Sequence, residues 1–294
     1  MSVESIIRGT PRDLSDGFTV LRVLPHAKRR MVGPFVFVDH FGPAVLPAGS
    51  AFDVRPHPHI GLATVTYLFD GAILHRDSLG NVQRIEPGAV NWMTAGRGIV
   101  HSERTPPDLR GQPLPMHGMQ IWVALPLDLE DASPSFLHVA ASELPQIELP
   151  SARVRVIVGH AFGARAPVAT FSDTVYAALH MDGGAGITIP LEHAERAIYV
   201  ADGRVQIDGT SVQPGELAVL APGVEAHVIA QAPSHCMLLG GAPVGERLVW
   251  WNFVASSRER IEAAKAEWQN YALEGSAQFG RVAGDDEHIP LPPR

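Results

Sequence analysis

The segment TVTYLFDGAILHRD, residues 64–77, decides the fold. It reads as two strands that meet at Asp70-Gly71, and a later strand starts after the Pro-Gly of IEPGAV, residues 85–90. The same punctuation returns downstream, where YVADG, residues 199–203, is followed by VQPGEL, residues 212–217. Gly88 lies 17 residues after Gly71 and Gly215 lies 12 after Gly203, so the intervening hairpin differs in length. A loose internal repeat of this size predicts two β-barrel domains in one chain.

Working outward, NVQRIEPGAVNWMTAG (81–96) and QIWVALP (120–126) read as further strands of the first barrel. RAIYVADGRVQIDG (196–209) and SVQPGELAVLAPG (211–223) read as strands of the second. The 28 glycines and 25 prolines break the chain into short apolar segments, which leaves little room for helices. One helix is expected, at SSRERIEAAKAEW (256–268), with Ser256 and Glu259 as a capping box and Ile261, Ala264 and Trp268 on one face. The expected fold class is therefore all-β, with barrels at 1–140 and 141–294 and a short helix near the C-terminus. The end of the chain, GDDEHIPLPPR (284–294), is expected to be extended and to pack back on the barrels.

Composition excludes several classes of function. At 294 residues and 46% apolar, the chain can fill substantial cores. A net charge of −8 opposes the attraction to phosphate on which nucleic-acid binding depends, so no direct nucleic-acid partner is expected. Met1 leads into SVESIIRGTPRD with no charged and then apolar leader, and no apolar run is long enough to span a bilayer. A cytoplasmic protein with no membrane partner is expected. The single cysteine, Cys236, reads as a small buried hydrophobe and not as a redox centre.

Chemistry concentrates in RPHPHIG, residues 55–61. Proline donates no ladder hydrogen bond, so this is not an ordinary interior strand. Pro56 and Pro58 nevertheless hold Arg55 and His57 extended, and a period of two then sends His57 and His59 to the same side, about 7 Å apart at Cα. Alone, the pair also suits a proline-rich surface loop. A second pair changes the reading: in AGRGIVHSER, His101 and Glu103 again stand two apart, at the end of a strand of the same barrel. Three neutral imidazoles and one carboxylate suit a divalent first-row transition metal and leave positions open for water, O2 or substrate.

PFVFVDHFGP (34–43), HPHIGLATVTYLFDGAILHRDS (57–78), PGAVNWMTAGRGIVHSE (87–103) and GMQIWVALP (118–126) resemble the signature segments of the pirin family, which are two-domain cupins. WWNFVASSRERIEAAKAEW (250–268) resembles the family's C-terminal segment, so the likeness spans nearly the whole chain. It implies that His57, His59, His101 and Glu103 are ligands of one metal ion in the N-terminal barrel. Fe(II) is the implied ion, with Mn, Co, Ni, Cu and Zn as alternatives. Counting from the matched turns places Ile189, Leu191, Val228 and Ala230 at the equivalent positions of the second barrel, with His193 and His227 out of register. A metal-free second barrel is expected on that count.

Pirins in turn resemble cupin quercetinases, which open the central ring of a flavonol with O2 and release carbon monoxide. The resemblance implies a flavonol-like aromatic substrate, and Glu103, the only acid among the four, is the candidate general base as well as a ligand. It also implies an alternative, an iron-dependent regulator that acts through a protein partner. A monomer is expected. His75 and Asp77 share a strand face but sit near a hairpin, which suggests a solvated face. Arg55 and Arg97 flank the ligand pairs, and Phe35, Phe37, Trp92 and Met93 are candidates for an aromatic pocket or, individually, for core.

Overall fold

The computed structural model describes residues 1–13, 19–274, 276 and 278–293. Among these, strands dominate and Arg258–Glu274 is the one α-helix. No described helix is long and apolar enough to cross a membrane.

The chain forms two compact units of discontinuous sequence. One combines Phe41–His138 with Gly245–Arg294 and is called the site unit below; the other combines Met1–His40 with Val139–Val244 and is called the companion unit. A cut near residue 140 would treat each barrel as one continuous stretch, whereas each terminus folds with the half more distant in sequence. In the companion unit, strand Val3–Arg8 pairs antiparallel with Glu216–Leu220, and Arg8 meets Glu216 at 2.8 Å.

The site unit is built from β1 (Asp53–His59), β2 (Leu62–Asp70), β3 (Ile73–Asp77), β4 (Val82–Ile85), β5 (Val90–Thr94), β6 (Ile99–Arg104), β7 (Leu114–Ala124) and β8 (Ser135–Val139). A small sheet runs β1-β6-β3-β4, and a larger one contains the order β8-β5-β2-β7. Thr66 on β2 donates to Glu103 on β6, so the two sheets face each other across a barrel interior. β1 is an edge strand, which is why it tolerates Pro56 and Pro58.

The companion unit repeats this plan with β9 (Ala152–Ala161), β10 (Thr174–Met181), β11 (Gly186–Ile189), β12 (Glu195–Asp202), β13 (Val205–Ile207), β14 (Thr210–Val212), β15 (Glu216–Leu220), β16 (Ala226–Ala230) and β17 (Ser234–Gly241). Its small sheet runs β11-β16-β13-β14 and its larger sheet contains β15-β12-β17-β10-β9. The repeated turns make the same bonds. Gly71 and Gly203 each donate to the preceding aspartate, Asp70 and Asp202, at 2.8 Å. Gly88 donates to the Leu68 carbonyl and Gly215 to that of Val200, three residues before the matched glycines. Cys236 is buried on β17, and burial pushes its thiol up to about 12.

The helix starts where its cap allows. The backbone N–H of Arg260 points to Ser257 Oγ at 3.5 Å, so Ser257 takes the capping position expected for Ser256. Ser256 is drawn away because its hydroxyl donates to the buried Glu130 at 2.6 Å. Ile261, Ala264 and Trp268 pack on Ile60 and Val100 in a cluster whose members are at most 5% exposed. Because side chains alternate across a strand, holding Ile60 and Val100 against the helix turns His59 and His101 toward the barrel interior. The described part of the tail returns to the same place: Ile289 donates to the Pro56 carbonyl, and Trp268 donates to that of Ile289.

Candidate metal centre

Strand register assembles the site. β6 lies between β1 and β3, pairing His101 with His57 on one side and with Asp77 on the other. The β1-β6 register slips between His101 and Glu103, so Glu103 faces Val54 on one side and His75 on the other. The ligand atoms of His57, His59 and His101 lie within 4.8 Å of one another. Gly61 makes the turn out of β1 at φ +68°, and a Cβ there would sit 2.0 Å from the Val254 carbonyl oxygen. That close approach demands glycine.

The outer ring nitrogens fix the tautomers. His57 Nδ1–H donates to the Arg55 carbonyl at 2.9 Å, and His59 Nδ1–H to that of Asn252 at 3.0 Å. His101 Nδ1 meets His75 Nδ1 at 3.4 Å, and His75 Nε2–H donates to Asp77 Oδ2 at 3.1 Å, so His75 accepts from His101. Each inner Nε2 therefore carries a lone pair. His59 Nε2 and His101 Nε2 lie 3.1 Å apart in a pocket where both residues are 1% exposed. Two buried lone pairs at that distance repel unless a cation lies between them, and the separation matches about 3 Å between two nitrogens sharing one ion. Imidazoles with outer N–H groups bonded to carbonyls or to a carboxylate chain are the arrangement that metal ligands require. The donor set fits a divalent first-row ion.

The electrostatics agree. Burial lowers His57 to about 4, and burial, reinforced by neighbouring imidazoles, holds His59 and His101 well below the usual histidine range. All three are thus neutral at pH 7, the form that binds a metal. Burial raises Glu103 to about 7, opposed by the hydrogen bond from Thr66. For Asp77, burial alone would raise the carboxyl, but bonds from His75 and Asn81 outweigh it and hold the group ionised. These shifts set the stability of the metal-free protein. His57, depressed from 6.5, contributes about 3 kcal/mol that is fully present above pH 6.5 and lost as pH falls toward 4. Glu103 acts oppositely by about the same amount, losing its contribution as pH rises from 4.5 through 7. His59 and His101 then decide the sign. Denaturant midpoints of the metal-free protein are expected to be higher at pH 7 than at pH 4.5, and equal midpoints would contradict the buried neutral histidines.

Glu103 is buried with the histidines but stands outside their 4.8 Å group, with its carboxylate held by Thr66 at 3.3 Å. The Gln120 side-chain amide also lies 2.9 Å from the Thr66 hydroxyl. Register puts Thr64, Thr66, Met93, Asn91, Gln120 and Trp122 on one face of the larger sheet, the face that carries Thr66 to Glu103. Trp122 meets His59 edge-on at 5.2 Å between ring centroids, and Phe136 stacks on His75 at 4.4 Å. Thr66, Gln120, Trp122 and Phe136 were not singled out by sequence; the Thr66 and Trp122 positions could have been found from the alternation of β2 and β7.

Several expectations need correction. His75 and Asp77 are not on a solvated face: they are 3% and 1% exposed, because β3 pairs with β6 and inherits its inward face. Arg55 and Arg97 are exposed, and Arg97 donates to Ser133. Phe35 belongs to the companion unit, where it packs near Tyr176. Phe37, also of that unit, lies under the Arg22 guanidinium. Trp92 pairs with Val65 on the opposite face of the larger sheet from Thr66. In the companion barrel, the strand pair equivalent to His57–His101 is Ile187–Val228, two residues from the Ile189 reached by counting turns. Leu191 lies beyond the strand and is half exposed.

Comparison with known proteins follows the same lines. The family pattern described as Pirin matches residues 17–123, and the Pirin C-terminal cupin domain matches residues 176–274. A pirin-like protein of Caulobacter vibrioides is 46% identical over 297 residues, covering 99% of both chains. A Pseudomonas aeruginosa protein provisionally named as a quercetin 2,3-dioxygenase is 38% identical, covering 96% of this chain and 87% of its own. The crystal structure of quercetin 2,3-dioxygenase from Acinetobacter baumannii superposes with a TM-score of 0.89 at 32% identity, covering 98% of this chain and 95% of that one.

Proposed function

The chain belongs to the pirin family, and on that premise we propose that it is a quercetinase-type dioxygenase. Its centre is a single divalent metal, Fe(II) in this reading, held by His57, His59, His101 and Glu103. The observation that carries the reading is the buried pair of facing Nε2 lone pairs, 3.1 Å apart, with a carboxylate two residues along the same strand. The naming of the relatives as quercetin 2,3-dioxygenases supports the choice of reaction.

The ion, when bound, supplies Lewis acidity and a path for electrons between an enolate and O2. The chain supplies the rest. Glu103 takes the proton of the flavonol's enolic hydroxyl, and Thr66 holds one carboxylate oxygen so that the other can face the substrate. Burial raises Glu103 to about 7 in the metal-free cluster, and a bound cation would pull it down again, so with the ion in place the carboxylate would be ionised and free to accept a proton. Trp122 and Phe136 offer flat apolar surfaces to an aromatic ring system, and the half-buried Phe136 and Gln120 have the freedom to admit it.

The direct assay loads the protein with Fe(II) without oxygen, adds a flavonol and then admits O2. Loss of the flavonol absorption band with release of carbon monoxide is expected. Absence of both with Fe, Mn, Co, Ni and Cu alike would overturn the reading and leave the iron-dependent regulatory role.

The Asp77–His75–His101 chain has its own test. Replacing His75 with phenylalanine keeps a flat ring on Phe136 but removes the acceptor for His101. The metal is expected to bind about 10- to 100-fold more weakly in chelator competition. Unchanged affinity would show that the chain does not reach the ion.

A further inference from the structure

The companion barrel lacks donors at the positions equivalent to the first centre, yet one end of its larger sheet gathers His160, Asp173 and His193. His160 is the penultimate residue of β9, Asp173 immediately precedes β10, and His193 lies two residues before β12. β9 is antiparallel to β10, and β10 and β12 both run antiparallel to β17. The three residues therefore meet at one end of the sheet, although no short motif links them in sequence. Their ligand atoms lie within 4.8 Å of one another.

The bonding around His193 leaves a position for a proton or a metal ion beside Asp173. Its Nε2 lies 2.8 Å from the His160 carbonyl oxygen, which can only accept, so Nε2 carries the hydrogen. In that neutral tautomer Nδ1 holds a lone pair, and it faces the Asp173 carboxylate oxygen at 2.9 Å. Two acceptors are thus in contact, and either a proton or a metal ion must lie between them. The carbonyl bond is also the outer contact that orients a histidine ligand. His160 Nδ1 lies 3.9 Å from the other Asp173 oxygen. With one ligand atom from each residue within 4.8 Å of the others, the group is close enough to converge on one ion, whose tetrahedral ligands stand about 3.3 Å apart.

We propose that His160, Asp173 and His193 form a second metal site, in the companion unit, that takes Zn2+ with water in the fourth position. Two imidazoles and a carboxylate are a donor set that zinc favours. The His193 side chain is 2% exposed and rigidly placed, whereas His160 and Asp173 are 32% and 38% exposed, which gives the ion a route from solvent. The site shares no residue with the first centre and stands or falls independently of the dioxygenase reading.

Titration with Zn2+ alone tests it. The parent protein is expected to bind about two equivalents, and Asp173→Asn, His193→Ala and the double variant His59→Ala/His101→Ala about one each. A parent that binds one equivalent, lost in the double variant, would overturn the proposal, as would a second equivalent that survives both Asp173→Asn and His193→Ala. Imidazole NMR of the double variant guards against a folding artefact. The His160 and His193 signals are expected to shift and saturate at about one equivalent of Zn2+, and signals that do not move would refute the site.

Discussion

His101→Ala is expected to bind iron more than about 100-fold more weakly than the parent and to show no flavonol turnover. The magnitude follows from position: loss of an outer hydrogen bond alone costs about 10- to 100-fold in affinity, and His101 is proposed as a direct ligand. Its ring is the meeting point of the cluster, with centroids 4.4 Å from His57, 5.0 Å from His59 and 5.3 Å from His75. Removal leaves two histidines and a carboxylate with no shared apex. The fold is expected to persist, because the residues that lock β6 in place, Ile99 and Val100, are untouched and fully buried. His227→Ala is the matched control. His227 is exposed on β16 and bonded to Thr188, so both metal content and turnover should stay at parental levels. Metal analysis of the two variants beside the parent checks the prediction, and a His101→Ala protein with parental iron would contradict it.

Glu103→Gln should separate binding from chemistry. The amide keeps the shape of the carboxylate and can still accept from Thr66, but it cannot take a proton. Turnover is expected to fall by about 10²- to 10⁴-fold, the usual contribution of a general base. Iron affinity should fall much less, because three imidazoles remain. Single-turnover decay of the flavonol band, with iron content measured on the same sample, distinguishes the outcomes. If turnover falls only in proportion to bound iron, Glu103 acts as a ligand and the base role is lost.

What the sequence made legible was local or periodic. The i, i+2 spacing of His57 with His59, and of His101 with Glu103, survives any choice of partner strand, because alternation alone decides which side chains share a face. The Asp-Gly and Pro-Gly turns were equally readable, and their bonds recur at Gly71 and Gly203 and at Gly88 and Gly215. Partner choice was not readable. Turn signals place His75 and Asp77 in a hairpin, but their burial comes from the pairing of β3 with β6, a strand more than twenty residues downstream. Counting from the turns misses the counterpart of His57 by two residues because the connection from Ile189 to Glu195 is longer than that from His59 to Leu62, and turn spacing does not carry register through it. The pairing of Val3–Arg8 with Glu216–Leu220 joins strands more than 200 residues apart, and no local signal announces it. His160, Asp173 and His193 come from three separate strand ends and carry no spacing by which to recognise them.

The central claim is that His57, His59, His101 and Glu103 surround one ion. Anomalous diffraction at the iron edge, from crystals of iron-loaded protein, locates that ion directly. A peak about 2 Å from Nε2 of each of the three histidines and from a Glu103 carboxylate oxygen is the predicted result. Iron bound elsewhere, with no peak between His59 and His101, would contradict it.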